Sequence, residues 1–147
     1  MKRSLCSVLC AAILLTLLPT AFAASIYGLA AFTESKQYSD STFVDVPDDA
    51  WYSPSVKTVY EKAIMDGTGG GKFDPNSTIS WSQAVTIAAR LHAVYHNSVI
   101  RTAEGAWYIQ YLDYAKDNEL LPAICPDNDL VDTSPITREG LAVLFRS

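Results

Sequence analysis

The sequence predicts an all-α fold made of helix–loop–helix repeats. Trp51 and Trp107, each followed by tyrosine, lie 56 residues apart, and each begins a helical stretch that runs into an acidic loop. Ile79 and Ile136, each followed by Ser or Thr, then begin a second helical stretch. A repeat that holds two helices is one supersecondary unit, and it packs on a neighbour to bury its apolar face. No alternating strand pattern of any length is present, so we expect a helical bundle that two units leave incomplete.

The N-terminal segment, residues 1–23, has the pattern of a secretory signal peptide. Lys2 and Arg3 precede an apolar run, Leu5–Leu18, and small residues precede a cleavage site after Ala23. The run has 14 residues, fewer than the roughly 20 that span a bilayer. We therefore expect export and cleavage without a stable transmembrane anchor.

The net charge of the chain restricts which partners it can bind, and its cysteine content restricts how the fold can be stabilised. The chain has a formal net charge of −5, which becomes −7 when Lys2 and Arg3 leave with the signal peptide. An acidic chain gains little from contact with nucleic acid or anionic lipid, so neither is expected as a partner. Cys125 is the one cysteine after residue 23, so packing and not a disulfide should hold the domain. Residues 24–42 lack periodicity and are predicted to be a linker.

The first predicted unit spans residues 43–100. After an extended entry, Ser53 is predicted to cap a helix over Pro54–Ala63, with proline at the first helical position. A glycine-rich loop ends that helix. Ser80 and Gln83 then form the pattern of a capping box before the best-supported helix. The predicted buried stripe of that helix comprises Ala84, Val85, Ala88, Leu91 and Tyr95.

The second predicted unit, residues 101–147, mirrors the first. One helix is expected from Trp107 through Ala115, and another follows Thr137. Three prolines between them prevent a continuous helix.

The ordered motifs resemble the S-layer homology (SLH) repeat of bacterial envelope proteins. The resemblance covers residues 43–147 and is carried by these segments: Phe43-Val44-Asp45-Val46, Trp51-Tyr52, Ile64-Met65-Asp66-Gly67-Thr68, Phe73-Asp74-Pro75, Ile79-Ser80, Trp107-Tyr108 and Ile136-Thr137-Arg138-Glu139. It implies repeats that dock on one another, typically as a three-fold pseudo-symmetric bundle. It also implies a secreted protein held noncovalently on a bacterial cell wall, at the cell surface, by secondary cell-wall polysaccharide that often carries an acidic pyruvyl ketal.

The resemblance also implies where the polysaccharide binds. In the family, grooves between repeats use the arginine of the tetrad, the aromatic residue at the start of the unit and the glycine of a Gly-Ile turn. Carried over to this sequence, the candidate ligand-binding residues are Arg138, Thr137, Glu139, Trp107, Trp51, Asp45 and Trp81. An arginine in a first helical turn suits a carboxylate ligand, because its planar fork can donate two parallel hydrogen bonds.

The sequence departs from the family pattern at several positions. Trp81 replaces the tetrad arginine of the first unit, and Ala63 and Glu119 replace the two glycines. We expect no third unit within this sequence, since Ser147 falls within the last predicted helix. The alternatives to an anchoring module are therefore a structural module that completes its bundle with itself or with other SLH chains, or a fragment of a longer anchored protein.

Each candidate residue also has a purely structural interpretation. Arg138 could be a surface arginine or an ion-pair partner of Glu139 or an aspartate, and Asp45 could cap a turn. For Trp51 and Trp107, core packing between helices is favoured over an exposed sugar platform. Trp81 is either core or a replacement stacking face.

The remaining chemical motifs argue against catalysis, metals and cofactors. The acidic loop Asp127–Asp132 lacks the glycine and glutamate of a calcium loop, and the glycines at 67–71 lack the lysine of a phosphate loop. His92 and His96 have the spacing of a metal pair but no glutamate between them, which favours an exposed surface pair. Cys125 has no basic neighbour in sequence. We predict no enzymatic activity.

Overall fold

The computed structural model describes residues 27–126, 131 and 134–146. The predicted signal peptide lies outside these residues, as does nearly all of the acidic loop. The four α-helices are α1 (Ser53–Glu61), α2 (Trp81–Tyr95), α3 (Ile109–Asp117) and α4 (Arg138–Leu144), preceded by a 3-10 turn at Gly28–Ala31. The described residues contain no sheet, and the predicted all-α class is confirmed.

The start of α1 differs from the prediction. Ser53 is the first residue of the helix and not its cap, and Tyr52 occupies the cap position without a side-chain hydrogen bond. The Ser53 side chain is not needed as a cap, because the N–H groups of Ser55 and Val56 both donate to the Tyr52 carbonyl at 3.0 Å. The C-terminal boundary is also shorter than predicted, since α1 ends at Glu61.

The capping box of α2 is confirmed. The Ser80 hydroxyl accepts from the Gln83 N–H at 3.3 Å, and the Gln83 side chain accepts from the Ser80 N–H at 2.9 Å. The helix buries the first half of its predicted stripe, but Leu91 is only partly buried and Tyr95 is 46% exposed. Ala89 and Ala93 are buried instead, because the second half of α2 turns a different face toward the core from the one predicted.

Two apolar clusters hold the fold. The larger forms where α2 packs on α3 and α4, and its buried members are Trp81, Ala84, Val85, Ala88, Ala89, Ala93, Leu112, Tyr114, Ala115, Leu120, Val131 and Leu144. The smaller forms around Phe43, Val46 and Val56, and is rich in edge-to-face aromatic contacts. Thus α2, from the first predicted unit, is the central helix against which the second unit packs.

Backbone hydrogen bonds also join the two predicted units. The Ile136 N–H donates to the Ile79 carbonyl at 3.0 Å, and the Trp81 N–H donates to the Ser134 carbonyl at 3.0 Å. These bonds belong to a short antiparallel bridge between the two segments that enter α2 and α4. The units are therefore fixed relative to one another at the start of α2.

Three helices end in the same left-handed backbone conformation. The φ angles are 54° at Ala63, 50° at Asn97 and 59° at Glu119. After Ala63 and Glu119, the next N–H donates back to the carbonyl five residues earlier, at 2.9 and 2.8 Å, as in a Schellman cap. This position favours glycine, which gives a conformational reason for the family's glycine at the two departures, Ala63 and Glu119.

Replacing Ala63 or Glu119 with glycine is expected to raise the free energy of unfolding by about 0.5–1 kcal/mol each. Glycine removes the left-handed strain of about 1–2 kcal/mol, while its greater freedom in the unfolded chain offsets part of that gain. Urea denaturation would measure the change. Asn97→Gly is the matched control and should gain less, because asparagine tolerates this conformation. An equal gain at all three sites, or a loss at the first two, would contradict the strain argument.

Candidate ligand-binding groove

A groove of about 910 Å³ lies where the two predicted units meet. The first unit supplies its walls through residues 64–68, the loop from Phe73 to Ser80 and the face of α2 that ends at Arg90. The second unit contributes Trp107 and Pro135. The groove is thus built from both units, and it is the candidate functional site.

Asp45 fixes the loop that forms one wall of this groove. Its carboxylate accepts from the backbone N–H of Phe73 at 2.9 Å and of Asp74 at 2.7 Å, one oxygen to each. The Phe73 hydrogen bond, supported by that of Asp74, holds the pKa of Asp45 below its usual value. Asp45 does not line the groove. Asp45 therefore caps the loop, as the structural interpretation of this residue predicted.

The guanidinium group at the groove belongs to Arg90. The sequence did not predict this residue as part of the site. It lies 2.7 Å from an Asp66 carboxylate oxygen, donates to the Tyr111 hydroxyl at 2.9 Å and donates to the Ile64 carbonyl at 3.2 Å. Burial lowers its pKa, but the hydrogen bonds to Tyr111 and Asp66 outweigh this effect, and the net shift is upward. An arginine within the apolar pattern of α2 was the available indication, since buried arginines are nearly always paired.

Asp66 links Arg90 to the N-terminal segment. Its second carboxylate oxygen pairs with Lys36. Burial raises the pKa of Asp66, yet the hydrogen bonds to Lys36 and Arg90 prevail and leave it below the usual value. The Asp66 carboxylate therefore stays ionised between two cations at the edge of the groove.

The expectation that Trp51 and Trp107 are core residues is wrong. Trp51 is 89% exposed and lies outside the groove lining, whereas Trp107 is 53% exposed and lines it. In each pair the following tyrosine turns inward: Tyr52 packs on the smaller cluster and Tyr108 on the larger one. The tryptophan rings sit edge-to-face on these tyrosines, at centroid distances of 5.6 and 5.7 Å.

The structure decides between the two alternatives for Trp81 in favour of the core. Only 6% of the side chain is exposed, and it belongs to the larger cluster. Its ring lies against Gly140 of α4, where a β-carbon would come within 2.8 Å of the indole. Trp81 thus joins the two units and offers no stacking face to a ligand.

The tetrad residues Thr137, Arg138 and Glu139 are exposed at the start of α4, outside the groove lining. The Thr137 hydroxyl accepts from the Gly140 N–H at 3.0 Å and so caps the helix. Within the residues that the structure describes, the Arg138 guanidinium has no ion pair with Glu139 or an aspartate. The structure does not bring Arg138 together with Trp107 in one groove.

Of the two histidines on α2, His92 packs against α3 and His96 is exposed. The rings of His92 and His96 lie 4.2 Å apart, and Nδ1 of His92 is 3.0 Å from the Tyr114 hydroxyl. Burial, helped by the neighbouring His96, lowers the pKa of His92. His92 is half-buried because it packs on α3, so the expected exposed pair is wrong for this residue.

Burial raises the pKa of the Cys125 thiol, which opposes formation of the thiolate.

Comparison with known proteins identifies the first unit. The family model of the S-layer homology domain matches residues 42–90. Residues 42–90 are therefore similar to an S-layer homology domain. A "Cell surface protein" of Thermoanaerobacter kivui is 32% identical over 124 residues, which are 84% of this chain and 15% of that protein. The "Surface-layer 125 kDa protein" of Lysinibacillus sphaericus is 30% identical over 130 residues, 84% of this chain and 11% of that protein. No solved structure gives a significant match.

The S-layer homology domain includes α1, the wall-forming loop and most of α2, so it supplies the first unit's side of the groove. The family assignment indicates a location at the cell surface. Residues 101–147 as a second repeat, and the absence of a third, stay predictions. The chain spans less than a sixth of the length of either relative. Among the described residues, every helix is too short or too polar to cross a membrane.

Proposed function

We propose that the chain is an anchoring module that binds secondary cell-wall polysaccharide noncovalently in the groove between its two units. Trp107 carries this proposal, because its half-exposed indole comes from the second unit and lines a groove formed mostly by the segment that matches the S-layer homology domain. A flat apolar ring can cover the apolar face of a sugar, while hydroxyl and amide groups along the groove bond its hydroxyls.

The family and the relatives support an anchoring role over catalysis. The relatives are named as a cell surface protein and a surface-layer protein, and the matched family takes its name from the same layer. No group of three or more potential metal-ligating side chains occurs within the described part of the chain. That the protein has no catalytic activity stays a prediction, which rests on the sequence motifs.

Trp107→Ala is expected to weaken binding to native cell-wall sacculi at least tenfold, about 1.4 kcal/mol. The substitution removes the ring that lines the groove and leaves the helices intact, because Trp107 precedes α3 and is half-exposed. Co-sedimentation of the purified protein with sacculi would measure the loss. Trp51→Ala is the matched control, since it deletes the corresponding ring of the first unit, outside the groove, and should bind as the wild type does.

The same assay tests the site that the family resemblance implies. Sacculi stripped of secondary polymer should recover neither the wild-type protein nor any variant. Binding that Arg138→Ala abolishes and Trp107→Ala leaves unchanged would place the site at Thr137, Arg138 and Glu139 and contradict the groove. A folded wild-type protein that does not sediment with native sacculi would contradict the anchoring function itself.

Self-association is a second candidate function, favoured by two exposed apolar side chains of the first unit. Trp51 is 89% exposed and Val44 is 76% exposed, although they flank the smaller cluster. Exposed aromatic residues of this kind are common at protein interfaces. This candidate predicts oligomers by light scattering at micromolar concentration and a monomer after Trp51→Ala. A monomeric wild-type protein would exclude it.

A further inference from the structure

We infer that the groove selects an uncharged stretch of glycan and discriminates against one that carries carboxylates; this inference rests on the proposed polysaccharide function. The ionisable side chains that line the groove are Asp66, Asp74 and Arg90. Two carboxylates and one guanidinium therefore line the groove, and Lys36 pairs with Asp66 from outside the lining. An anionic ligand would find both cations already paired.

The Arg90 guanidinium is already engaged by protein groups. Asp66, Tyr111 and the Ile64 carbonyl hold it at 2.7, 2.9 and 3.2 Å, and the Tyr111 ring lies 5.1 Å beneath it. A ligand carboxylate that approached Arg90 would have to displace Asp66 or lie beside it. Like charges at such a distance repel strongly in a partly buried site, so the ion pair with Asp66 excludes the anion.

Among the residues that the structure describes, Arg90 is the one cationic side chain that lines the groove. Trp81 stands where the family pattern has arginine, and its ring is buried against Gly140. Lys36 is the next cation near Arg90, and it pairs with the same Asp66 carboxylate. The whole chain is acidic, with a net charge of −5, so long-range electrostatics also oppose an anionic polymer.

The polar groups along the groove match an uncharged sugar instead. Ser77, Thr78 and Gln83 line it and provide hydroxyl and amide groups, while the Thr68 hydroxyl, which donates to Asp74, can still accept. Asp74 also lines the groove, where its carboxylate accepts from the Thr68 hydroxyl. Carboxylates accept well from sugar hydroxyls, so the acidic side chains that repel an anion can bind a neutral ring.

The test compares two charge forms of one polymer. Secondary polysaccharide released from the wall is prepared with all carboxyl groups reduced to alcohols, and with its primary alcohols then oxidised to carboxylates. Wild-type protein is expected to bind the reduced polymer at least tenfold more tightly than the oxidised polymer. Equal affinity, or tighter binding of the oxidised form, would overturn the inference. Absence of binding to both forms would overturn the proposed function as well.

Asp66→Asn tests the mechanism in the same assay. The isosteric amide retains the shape of the side chain but releases the charge of Arg90, so binding of the oxidised polymer should rise at least threefold and become more sensitive to salt. Asp49→Asn makes the same charge change at an exposed residue outside the groove lining and is the matched control. A thermal melt would verify that both variants fold. Equal effects of the two substitutions would overturn the role of the Asp66–Arg90 pair.

Discussion

Alanine at Gly67 is expected to lower the free energy of unfolding by about 3 kcal/mol or more. A β-carbon at this position would lie 2.4 Å from the Lys72 carbonyl oxygen and 2.6 Å from the Phe43 ring. The φ angle of +82° adds strain for any residue with a side chain. Steric overlap in a packed site typically costs about 1–3 kcal/mol, and left-handed strain adds about 1–2 kcal/mol. The backbone oxygen cannot move away as a flexible side chain could.

Gly70→Ala is the matched control for this prediction. Gly70 lies in the same loop at a φ angle of +59°, and a β-carbon there would meet no atom within 4 Å. Gly70→Ala should therefore lower the free energy of unfolding only by the cost of the left-handed backbone conformation, about 1 kcal/mol. Denaturation in urea, followed by circular dichroism, would compare the two variants. Similar losses at Gly67 and Gly70 would show that the contact with Phe43 and Lys72 does not limit the loop.

Replacing Trp81 with alanine is expected to lower the free energy of unfolding by about 3–5 kcal/mol, the usual cost of deleting a buried tryptophan. The side chain is 6% exposed and lies at the start of α2, between the two units. Its loss leaves a cavity against Gly140 and Ile136. Calorimetry or urea denaturation would measure the change. A loss below 1 kcal/mol would contradict the core assignment of Trp81.

Gly140 provides a sharper test of the same contact. In the wild-type protein Gly140→Ala should destabilise, because the new β-carbon would meet the indole at 2.8 Å. In the Trp81→Ala background the indole contact is gone, and Ile136, 3.1 Å from the new β-carbon, can move into the cavity, so the same change should stabilise by about 1 kcal/mol through helix propensity. A double-mutant cycle would reveal this reversal of sign. Additive effects would mean that Trp81 and Gly140 do not share the contact.

Local chemistry made part of the fold predictable. Ser80 and Gln83 cap α2 with adjacent groups, so four residues of sequence determine the start of that helix. The cap predicted at Ser53 is wrong because the Tyr52 carbonyl accepts from the N–H groups that the Ser53 side chain would have bonded. The orientation of the Trp-Tyr pairs was also missed. Either ring of such a pair can fill an apolar space, and only the tertiary contacts of Tyr52 and Tyr108 show which one does.

The candidate groove was only partly visible in the sequence. The family resemblance pointed to Trp107, and the structure brings this residue to the groove. The ion pair between Asp66 and Arg90 joins residues from a loop and a helix, and neither lies in the tetrad that the resemblance emphasises. Their pairing depends on how the loop folds back on α2, which no local pattern encodes. The proposed discrimination against carboxylates rests on this pair, so the sequence alone did not indicate it.

The bridge between the entries to α2 and α4 has a mechanical consequence. Pro135, which lines the groove, belongs to the strand-like segment that is hydrogen-bonded to the start of α2. A pulling force that separates the two units must break these bonds and withdraws Pro135 and Trp107 from the groove together. Release of a bound polymer under load and rupture of the tertiary structure would then be a single event. The strength of the attachment would be set by the unfolding barrier of the protein as well as by its affinity.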